Sequence, residues 1–340
     1  MKIAFFLFLI PFISVISFSQ NLPKENNKMI YLENTKLKIG VLTDVGGCMV
    51  YFGSPDGQNL LKSDTSLWNQ PASSHVKPSA FSMFKQYFGM ISWVGPQSEW
   101  WKHQNINQKR LKNAAVWPPD PFITLGQYQV LEKTDSTLKI ISPKSPVSNV
   151  QLTKEFKLAG NKLLITVSAK NTSDSTISWD LWTNARFNVD TKYMVPTSEK
   201  GLQRVTTDES PVKEKMEYKL ENGVFHFVPK EISAGKIQQY GKAFIYPEAC
   251  NILVIKDKYL LKMSFEKVAM EKIHPEQALV EVFQSLSNAG GDNLLELEHH
   301  SAFKTLKPGE SFQLTDTWSL LNEKDYPNQQ AIKNLIYKED

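Results

Sequence analysis

The feature that most constrains the fold of this 340-residue chain is a long series of short segments in which apolar and polar residues alternate. Side chains of a β-strand point to opposite faces in turn, so this period of two predicts half-buried strands. Turn-forming sequences such as Ser-Pro-Asp-Gly at 54–57 and Asn-Thr-Ser-Asp at 171–174 separate the segments. Many short strands with hairpin spacing predict an all-β chain, organised as a large antiparallel sandwich or barrel. The predicted strands cover residues 36–42, 48–52, 129–131, 138–141, 150–156, 162–169, 177–187, 224–228, 252–255, 259–265, 278–284 and 312–320.

The two ends of the chain differ from this pattern. Met1 and Lys2 precede an apolar run over residues 3–16 and small residues at 17–19, the composition of a secretory signal peptide that ends at residue 19. We therefore expect a secreted or periplasmic protein. No later stretch approaches the roughly 20 apolar residues of a transmembrane helix, so we expect no membrane partner after cleavage. We predict one β domain over 28–322 and a tail over 323–340 with a short helix at 329–337.

Charge and cysteine content narrow the classes of partner. The formal net charge is +4, with lysines and acidic residues interspersed, which argues against a nucleic-acid partner because such a partner requires a concentrated basic face. Cys48 and Cys250 lie far apart in strand-like surroundings, and both a disulfide and two free thiols remain open. Two remote cysteines without a second pair do not make a typical zinc site. We predict no cofactor and no metal.

A segment between residues 88 and 122 departs from the strand pattern, because it places four tryptophans among prolines and glycines. We predict an ordered loop that folds over another part of the protein. Indole rings pack well against the apolar faces of a sugar ring, beside polar groups that bind its hydroxyls. The alternative is a loop that covers one end of the core and buries its own tryptophans. The four residues are Trp93, Trp100, Trp101 and Trp117.

The predicted strand over 179–188 carries an unusual mixture of side chains on one face. Asp180, Trp182, Asn184 and Arg186 share that face by the period of two. An acid, an amide and a guanidinium can bind hydroxyl or carboxylate groups, while an indole supplies a stacking surface. We therefore predict these four as carbohydrate-binding residues. The alternative is a solvated face with an ion pair between Asp180 and Arg186.

Ionisable residues form a row near the C-terminus. In a strand over 294–300, Glu296, Glu298 and His300 share one face, while Leu295 and Leu297 share the other. Such a row is costly to bury, and like charges two residues apart on one face raise each other's pKa. We predict Glu296, Glu298 and His300 as the catalytic candidates.

The same row admits other interpretations. Together with Asp180 it could converge on Ca²⁺ or a similar hard cation if the two strands are neighbours. Carboxylates hydrogen-bonded to Arg186 are the more common arrangement, and we favour it. Hydrolysis or lyase chemistry is a third interpretation. Glu296 and Glu298 would lie only about 7 Å apart along one strand and point the same way, whereas a glycosidase pair flanks the scissile bond.

Two segments resemble the galactose mutarotase (aldose epimerase) superfamily. The run 37–61, with Gly-Gly at 46–47 and Asn-Leu-Leu at 59–61, is similar to the superfamily's opening strand pair, Gly-rich turn and Asn-Leu-Leu segment. The run 295–318, with Leu-Lys-Pro-Gly-Glu at 306–310, is similar to its final segment. The tryptophan-rich stretches 95–100 and 117–121 resemble an uncharacterised bacterial branch known as a domain of unknown function. The resemblance implies a large two-layer antiparallel β-sandwich, a supersandwich, with a sugar site on its concave face.

The resemblance also implies catalytic roles, with one departure. Glu296 matches the base that removes the proton of the anomeric hydroxyl, and Glu298 stands where a glutamine is usual. Asn184 matches the histidine that delivers a proton to the ring oxygen, and asparagine cannot donate and recover a proton near neutral pH. His300, His103 or a protonated Glu298 could supply the acid instead.

The resulting expectation is an exported carbohydrate-binding protein, with or without epimerase-type acid–base activity. One alternative is an aldose epimerase-like enzyme with Glu296 or Glu298 as base and a nonstandard acid. A second alternative is a polysaccharide hydrolase or lyase accessory protein. The sequence does not decide between an enzyme and a binding protein.

Overall fold

The computed structural model of the chain describes residues 29–68, 77–290 and 293–338. The predicted signal peptide at 1–19 lies outside these ranges, so export stays a prediction. None of the described helices is long and apolar enough to cross a lipid bilayer. Cys48 and Cys250 do not form a disulfide.

Short β-strands account for nearly half of the described chain. The first ten are β1 (Met29–Glu33), β2 (Lys38–Leu42), β3 (Cys48–Gly53), β4 (Met90–Gly95), β5 (Gln129–Lys133), β6 (Thr137–Ile141), β7 (Val150–Ala159), β8 (Lys162–Asn171), β9 (Ile177–Asn188) and β10 (Lys192–Pro196). The remainder are β11 (Leu202–Thr207), β12 (Lys213–Lys215), β13 (Glu217–Glu221), β14 (Val224–Val228), β15 (Gln238–Ile245), β16 (Asn251–Lys256), β17 (Tyr259–Phe265), β18 (Val280–Ser287), β19 (Leu294–His300), β20 (Lys304–Leu306) and β21 (Ser311–Asn322). The α-helices are α1 (Gln108–Lys112), α2 (Pro121–Thr124) and α3 (Gln329–Tyr337).

The strands form two large sheets. The first has the order β1-β2-β3-β4-β9-β19-β18-β15-β11, with β12 beside β15 and β20 beside β9. The second has the order β13-β14-β10-β16-β17-β21-β8-β7-β6-β5. Neighbouring strands pair antiparallel, apart from the short parallel pairing of β12 with β15. The predicted all-β class and antiparallel sandwich are confirmed.

The hydrophobic core lies between the two sheets. Strand β8 alternates buried and half-buried residues along its length, which is the pattern of a strand with one face on the core. Phe52 of the first sheet packs edge-on against Trp318 of the second, with ring centroids 5.3 Å apart. Both rings are fully buried, and burying a large apolar side chain contributes about 2–3 kcal/mol. The opposite face of the first sheet is therefore free to carry other chemistry.

The C-terminal helix α3 packs on the second sheet, and its predicted position is confirmed. Asn328 caps the helix by accepting a hydrogen bond from the Ala331 backbone N–H. Ile332, Leu335 and Ile336 on one side of the helix are buried against apolar residues of β16 and β17. The helix thus covers apolar residues on the outer surface of these two strands.

A buried lysine side chain forms hydrogen bonds with the Gly-rich turn before β3. Gly46 and Gly47 both have positive φ angles, and a side chain on Gly46 would collide with the Thr124 carbonyl oxygen. The Lys154 ammonium donates hydrogen bonds to the carbonyl oxygens of Gly46 and Gly47, at 2.8 and 3.2 Å. Burial lowers the pKa of Lys154 to about 8. The turn is thus connected to β7 of the second sheet.

Candidate functional site

Strand register brings the predicted polar faces together at the centre of the first sheet. Strand β9 is the neighbour of β19, and their cross-strand pairs are Glu296 with Arg186, Glu298 with Asn184, and His300 with Trp182. Directly paired residues of an antiparallel sheet share a face. Leu295 and Leu297 are fully buried in the core on the other face, so the rows stand on the face opposite the sandwich core.

A pocket of about 420 Å³ lies on this face. We call it the tryptophan pocket. It brings together eight residues that the sequence singles out, from β4, β9, β19 and the loop that follows β4. They are Trp93, Trp100, Trp117, Trp182, Asn184, Arg186, Glu296 and Glu298.

Indole rings form one wall of the tryptophan pocket. Trp100 stacks on Trp182 with ring centroids 5.9 Å apart, and Trp93 meets Trp182 edge-on at 5.4 Å. The Trp100 indole N–H donates to the Val94 carbonyl oxygen at 2.6 Å, which fixes the ring on β4. Trp117 lies 6.3 Å from Trp100 and is 45% exposed. Trp117 is therefore the ring that remains most accessible to a ligand.

Trp101 has a different role from the other tryptophans of the segment. Its ring is fully buried, and its N–H donates to the Pro118 carbonyl oxygen at 2.7 Å. The Arg110 guanidinium covers the ring at 4.2 Å. The expectation that Trp101 contacts a sugar is therefore wrong, because this residue does not line the tryptophan pocket and packs the loop instead.

Arg186 and Glu296 form an ion pair in the floor of the pocket. Arg186 Nε lies 2.7 Å from Glu296 Oε1, and the guanidinium is almost fully buried while the Glu296 side chain is 16% exposed. Burial opposes ionisation of Glu296, but the Arg186 charge and hydrogen bond outweigh it and lower the pKa of this carboxyl. Glu296 is therefore a carboxylate at neutral pH. The alternative pairing of Arg186 with Asp180 is not seen in the described residues.

Glu298 stands two residues further along the strand in a different electrostatic environment. Its oxygens accept hydrogen bonds from Trp182 Nε1 and Asn184 Nδ2, each at 3.1 Å. Burial raises the pKa of Glu298 well above its usual value, and the negative charge of Glu296 adds to the rise. The Lys242 charge opposes the shift without reversing it. Glu298 therefore holds a proton at a pH where Glu296 does not.

Lys242 of β15 is a site residue that sequence reasoning missed. Its ammonium lies 2.6 Å from Glu281 and 3.2 Å from Glu298, and 5.0 Å from the centroid of the Trp182 ring. Burial disfavours its charge, but Glu298 and Glu281 outweigh this effect and raise the pKa of Lys242. The only available signal was the alternation of residues 238–245, which places Lys242 on one face with its aromatic neighbours.

Asp180 and His300 are placed behind the pocket rather than in it. His300 Nδ1 lies 3.1 Å from Asp180 Oδ2, and both side chains are fully buried. The His300 ring packs against Trp182 with centroids 5.0 Å apart, so that indole separates it from the ligand space. Direct ligand contact by Asp180 and acid catalysis by His300, which we expected, do not fit this burial.

His103 is also unsuited to supply the acid. Its side chain is half exposed on the loop, where Nε2 lies 2.9 Å from Glu99. Its ring packs edge-on against Trp179, and the Trp179 side chain lies on the core side of β9. Of the three acids that could replace the histidine, only Glu298 lines the tryptophan pocket.

One cluster behind the pocket has the donor atoms of a metal site. Oxygen atoms of Glu281 and Glu298 and a nitrogen of His300 all lie within 4.8 Å of one another. The Lys242 ammonium already contacts both carboxylates. The Lys242 charge thus already balances acidic charge that a bound cation would otherwise balance.

Comparison with known proteins shows which proteins this chain resembles in fold and in sequence. The fold is similar to a galactose mutarotase related enzyme from Lactobacillus acidophilus, with 11% identity, a TM-score of 0.50, and coverage of 86% of this chain and 97% of the other. It is also similar to a galactose mutarotase-like protein from Clostridium acetobutylicum, with 13% identity, a TM-score of 0.51, and coverage of 87% and 96%. No functionally curated protein has a significantly similar sequence.

These likenesses confirm the galactose mutarotase-like sandwich at the level of the fold. At sequence level, a family described as "Domain of unknown function (DUF4380)" matches residues 28–321, which is most of the chain. The chain therefore belongs to the DUF4380 family and has a galactose mutarotase-like fold.

Proposed function

We propose that this protein binds carbohydrate in the tryptophan pocket. The observation that carries the proposal is the combination of an indole wall with a floor of ion-paired and amide side chains in one pocket. A sugar ring has apolar C–H faces and a rim of hydroxyls, so it needs both kinds of surface at once. The pocket volume of about 420 Å³ lies within the usual range for small-ligand sites.

Two buried polar atoms of the pocket residues lack a hydrogen-bond partner within the described part of the chain. Asn184 Oδ1 and Trp93 Nε1 are buried without a hydrogen-bond partner among the described residues. An unpaired buried donor or acceptor costs about 1–3 kcal/mol, and a ligand hydroxyl recovers this cost once the pocket side chains shift enough to admit it. The Glu296 carboxylate adds a charged acceptor at the pocket floor.

Tryptophan fluorescence during titration with mono- and oligosaccharides tests this proposal. Four of the eight tryptophans line the pocket, so an occupying sugar should quench or shift the emission in a saturable way. Isothermal titration calorimetry with the same sugars gives the affinity. Absence of any response across a broad panel of neutral and acidic sugars would contradict carbohydrate binding.

A second candidate function is epimerase-type proton transfer, and the opposite pKa directions of Glu296 and Glu298 favour it. Glu296 would take the proton of the anomeric hydroxyl as the ring oxygen receives a proton from Glu298, which breaks the bond between the anomeric carbon and that oxygen. Closure on the other face returns both protons. Proton NMR of freshly dissolved α-anomers tests this, and unchanged anomer exchange for every sugar that binds would exclude it.

We also infer export of the chain, because residues 1–19 have the composition of a signal peptide. Expression in a Gram-negative host followed by N-terminal mass determination of the periplasmic protein tests this. A mature protein that begins near residue 20 is expected. A cytoplasmic protein that retains Met1 would contradict export.

A further inference from the structure

A second cavity lies on the same face of the first sheet, beside the tryptophan pocket. It has a volume of about 300 Å³, and Arg204, Phe244, His274 and Gln277 are among its lining residues. We call it the Arg204 cavity. The Lys242 ammonium stands between the two cavities, 5.0 Å from the Trp182 ring and 5.6 Å from the Phe244 ring.

The register of four strands connects the two cavities in one row. Arg204 of β11 pairs with Phe244 of β15, Phe244 pairs with Glu281 of β18, and Glu281 pairs with Glu298 of β19. Paired residues share a face, so the row runs from the Arg204 cavity to the tryptophan pocket. Three strand spacings of about 4.8 Å separate its ends by ~14 Å, which is more than one sugar ring can span.

Arg204 is held ready to bind an anion. Its guanidinium carbon lies 3.7 Å from the centroid of the Phe244 ring, and one amino nitrogen donates to the Glu276 carbonyl oxygen at 3.1 Å. A guanidinium on an aromatic face keeps its N–H edge free for a two-pronged contact with a carboxylate. Arg186 and Lys242 are each paired with glutamates, whereas no carboxylate of the described residues forms an ion pair with Arg204.

We propose that the ligand is an oligosaccharide that carries a uronic acid, whose carboxylate binds Arg204 while another sugar unit fills the tryptophan pocket. The proposal rests on carbohydrate binding in that pocket and names its substrate class. A planar carboxylate matches the guanidinium edge in two parallel hydrogen bonds. The preformed stacking on Phe244 reduces the side-chain entropy that binding would otherwise cost.

A glycan array with neutral, uronate-containing and sulfated oligosaccharides is the first test, followed by calorimetry on the tightest binder and its neutral counterpart. We expect uronate-containing oligosaccharides to bind at least tenfold more tightly than neutral ones of the same length. Arg204→Gln should abolish that difference. Lys200→Gln removes an equal charge from an exposed position just before β11 and should preserve the preference.

The outcomes separate this inference from the proposed function. Neutral sugars that bind as well as uronates, or a preference that survives Arg204→Gln, would overturn the uronate assignment and leave carbohydrate binding intact. Stronger, Arg204-dependent binding of sulfated glycans would overturn the uronate assignment and show that Arg204 binds a sulfate group. No binding to any glycan would overturn both proposals.

Discussion

Arg186 donates from Nε to Glu296 Oε1 across 2.7 Å, and the two residues face each other directly in the register of β9 and β19. The guanidinium also lies 5.5 Å from the Trp93 ring. One side chain thus joins the carboxylate floor of the tryptophan pocket to its indole wall. Its charge lowers the pKa of Glu296, whereas burial raises the pKa of the neighbouring Glu298.

Removal of Arg186 should destabilise the protein strongly. Arg186→Met leaves the Glu296 carboxylate without its partner, and breaking a buried ion pair costs about 3–5 kcal/mol. Urea unfolding measures this loss in the free energy of unfolding. The double variant Arg186→Met/Glu296→Leu should recover part of the loss, because no unpaired charge remains. A double variant that is as unstable as the sum of its single variants would contradict the coupling.

Trp117 should contribute to ligand binding without contributing to stability. The ring is 45% exposed at the mouth of the pocket, and an aromatic contact is worth about 0.5–1.5 kcal/mol. Trp117→Ala should therefore weaken sugar binding about 2- to 13-fold, measured by calorimetry, with the urea midpoint nearly unchanged. Phe81→Ala is a matched control, because Phe81 is 70% exposed and does not line this pocket. Equal effects of the two substitutions would argue against stacking on Trp117.

The period of two was sufficient to predict which side chains of β9 and β19 share a face. It was not sufficient to predict how deeply each of these side chains is buried. Asp180 and His300 share the face of Asn184 and Glu298, but both side chains are fully buried, and the Trp182 ring packs against His300. Burial beneath a neighbouring ring depends on tertiary packing, which alternation along a strand does not encode.

Strand β4 shows a second limit of the sequence. We predicted an irregular loop from residue 88 onwards, yet Met90–Gly95 forms a strand in the middle of the first sheet. All six residues are buried, so the segment has no polar alternation to mark it as a strand. Lys242 was missed for a related reason, because its partners Glu281 and Glu298 lie on strands far from it in sequence.

Lys154 should give the protein a characteristic pH dependence of stability. Burial lowers its pKa from 10.5 to about 8. Between pH 8 and 10.5 the folded protein has released a proton that the unfolded chain still binds, so the free energy of unfolding should rise with pH in this window. At ~1.36 kcal/mol per pKa unit, the full rise is about 3 kcal/mol. Urea unfolding of wild type and Lys154→Met across pH 7–10.5 measures it.

Buried tyrosines also affect stability at high pH. They are present in both proteins, so the comparison with Lys154→Met isolates the contribution of Lys154. The difference in the free energy of unfolding between the two proteins should change by about 3 kcal/mol across the window, because only the wild type has the Lys154 ammonium to deprotonate. A control at an exposed position, Lys157→Met, should follow the wild-type curve. Parallel curves for wild type and Lys154→Met would show that the folded-state pKa of Lys154 is not lowered.

Glu298 should tolerate amide substitution better than Glu296 does. Burial raises the pKa of Glu298 well above its usual value, so the amide of Glu298→Gln resembles the protonated carboxyl that burial favours, and we expect sugar affinity within about threefold of wild type. Glu296→Gln removes the partner of the Arg186 charge and should weaken binding and stability together. Calorimetry and urea unfolding on both variants measure this asymmetry. Equal losses would show that Glu298 is ionised in the free protein.

If the site also catalyses anomer exchange, the pH profile of the rate follows from the same two carboxyl groups. The rate should fall only at a pH below the ordinary range of a glutamate pKa, where Glu296 takes up a proton and loses its function as base. It should fall again on the alkaline side, above the raised pKa of Glu298, because the acid has then lost its proton. Glu298→Gln should bind sugar but lose at least 100-fold in exchange rate, measured by proton NMR. Exchange that persists in this variant would show that another group delivers the proton to the ring oxygen.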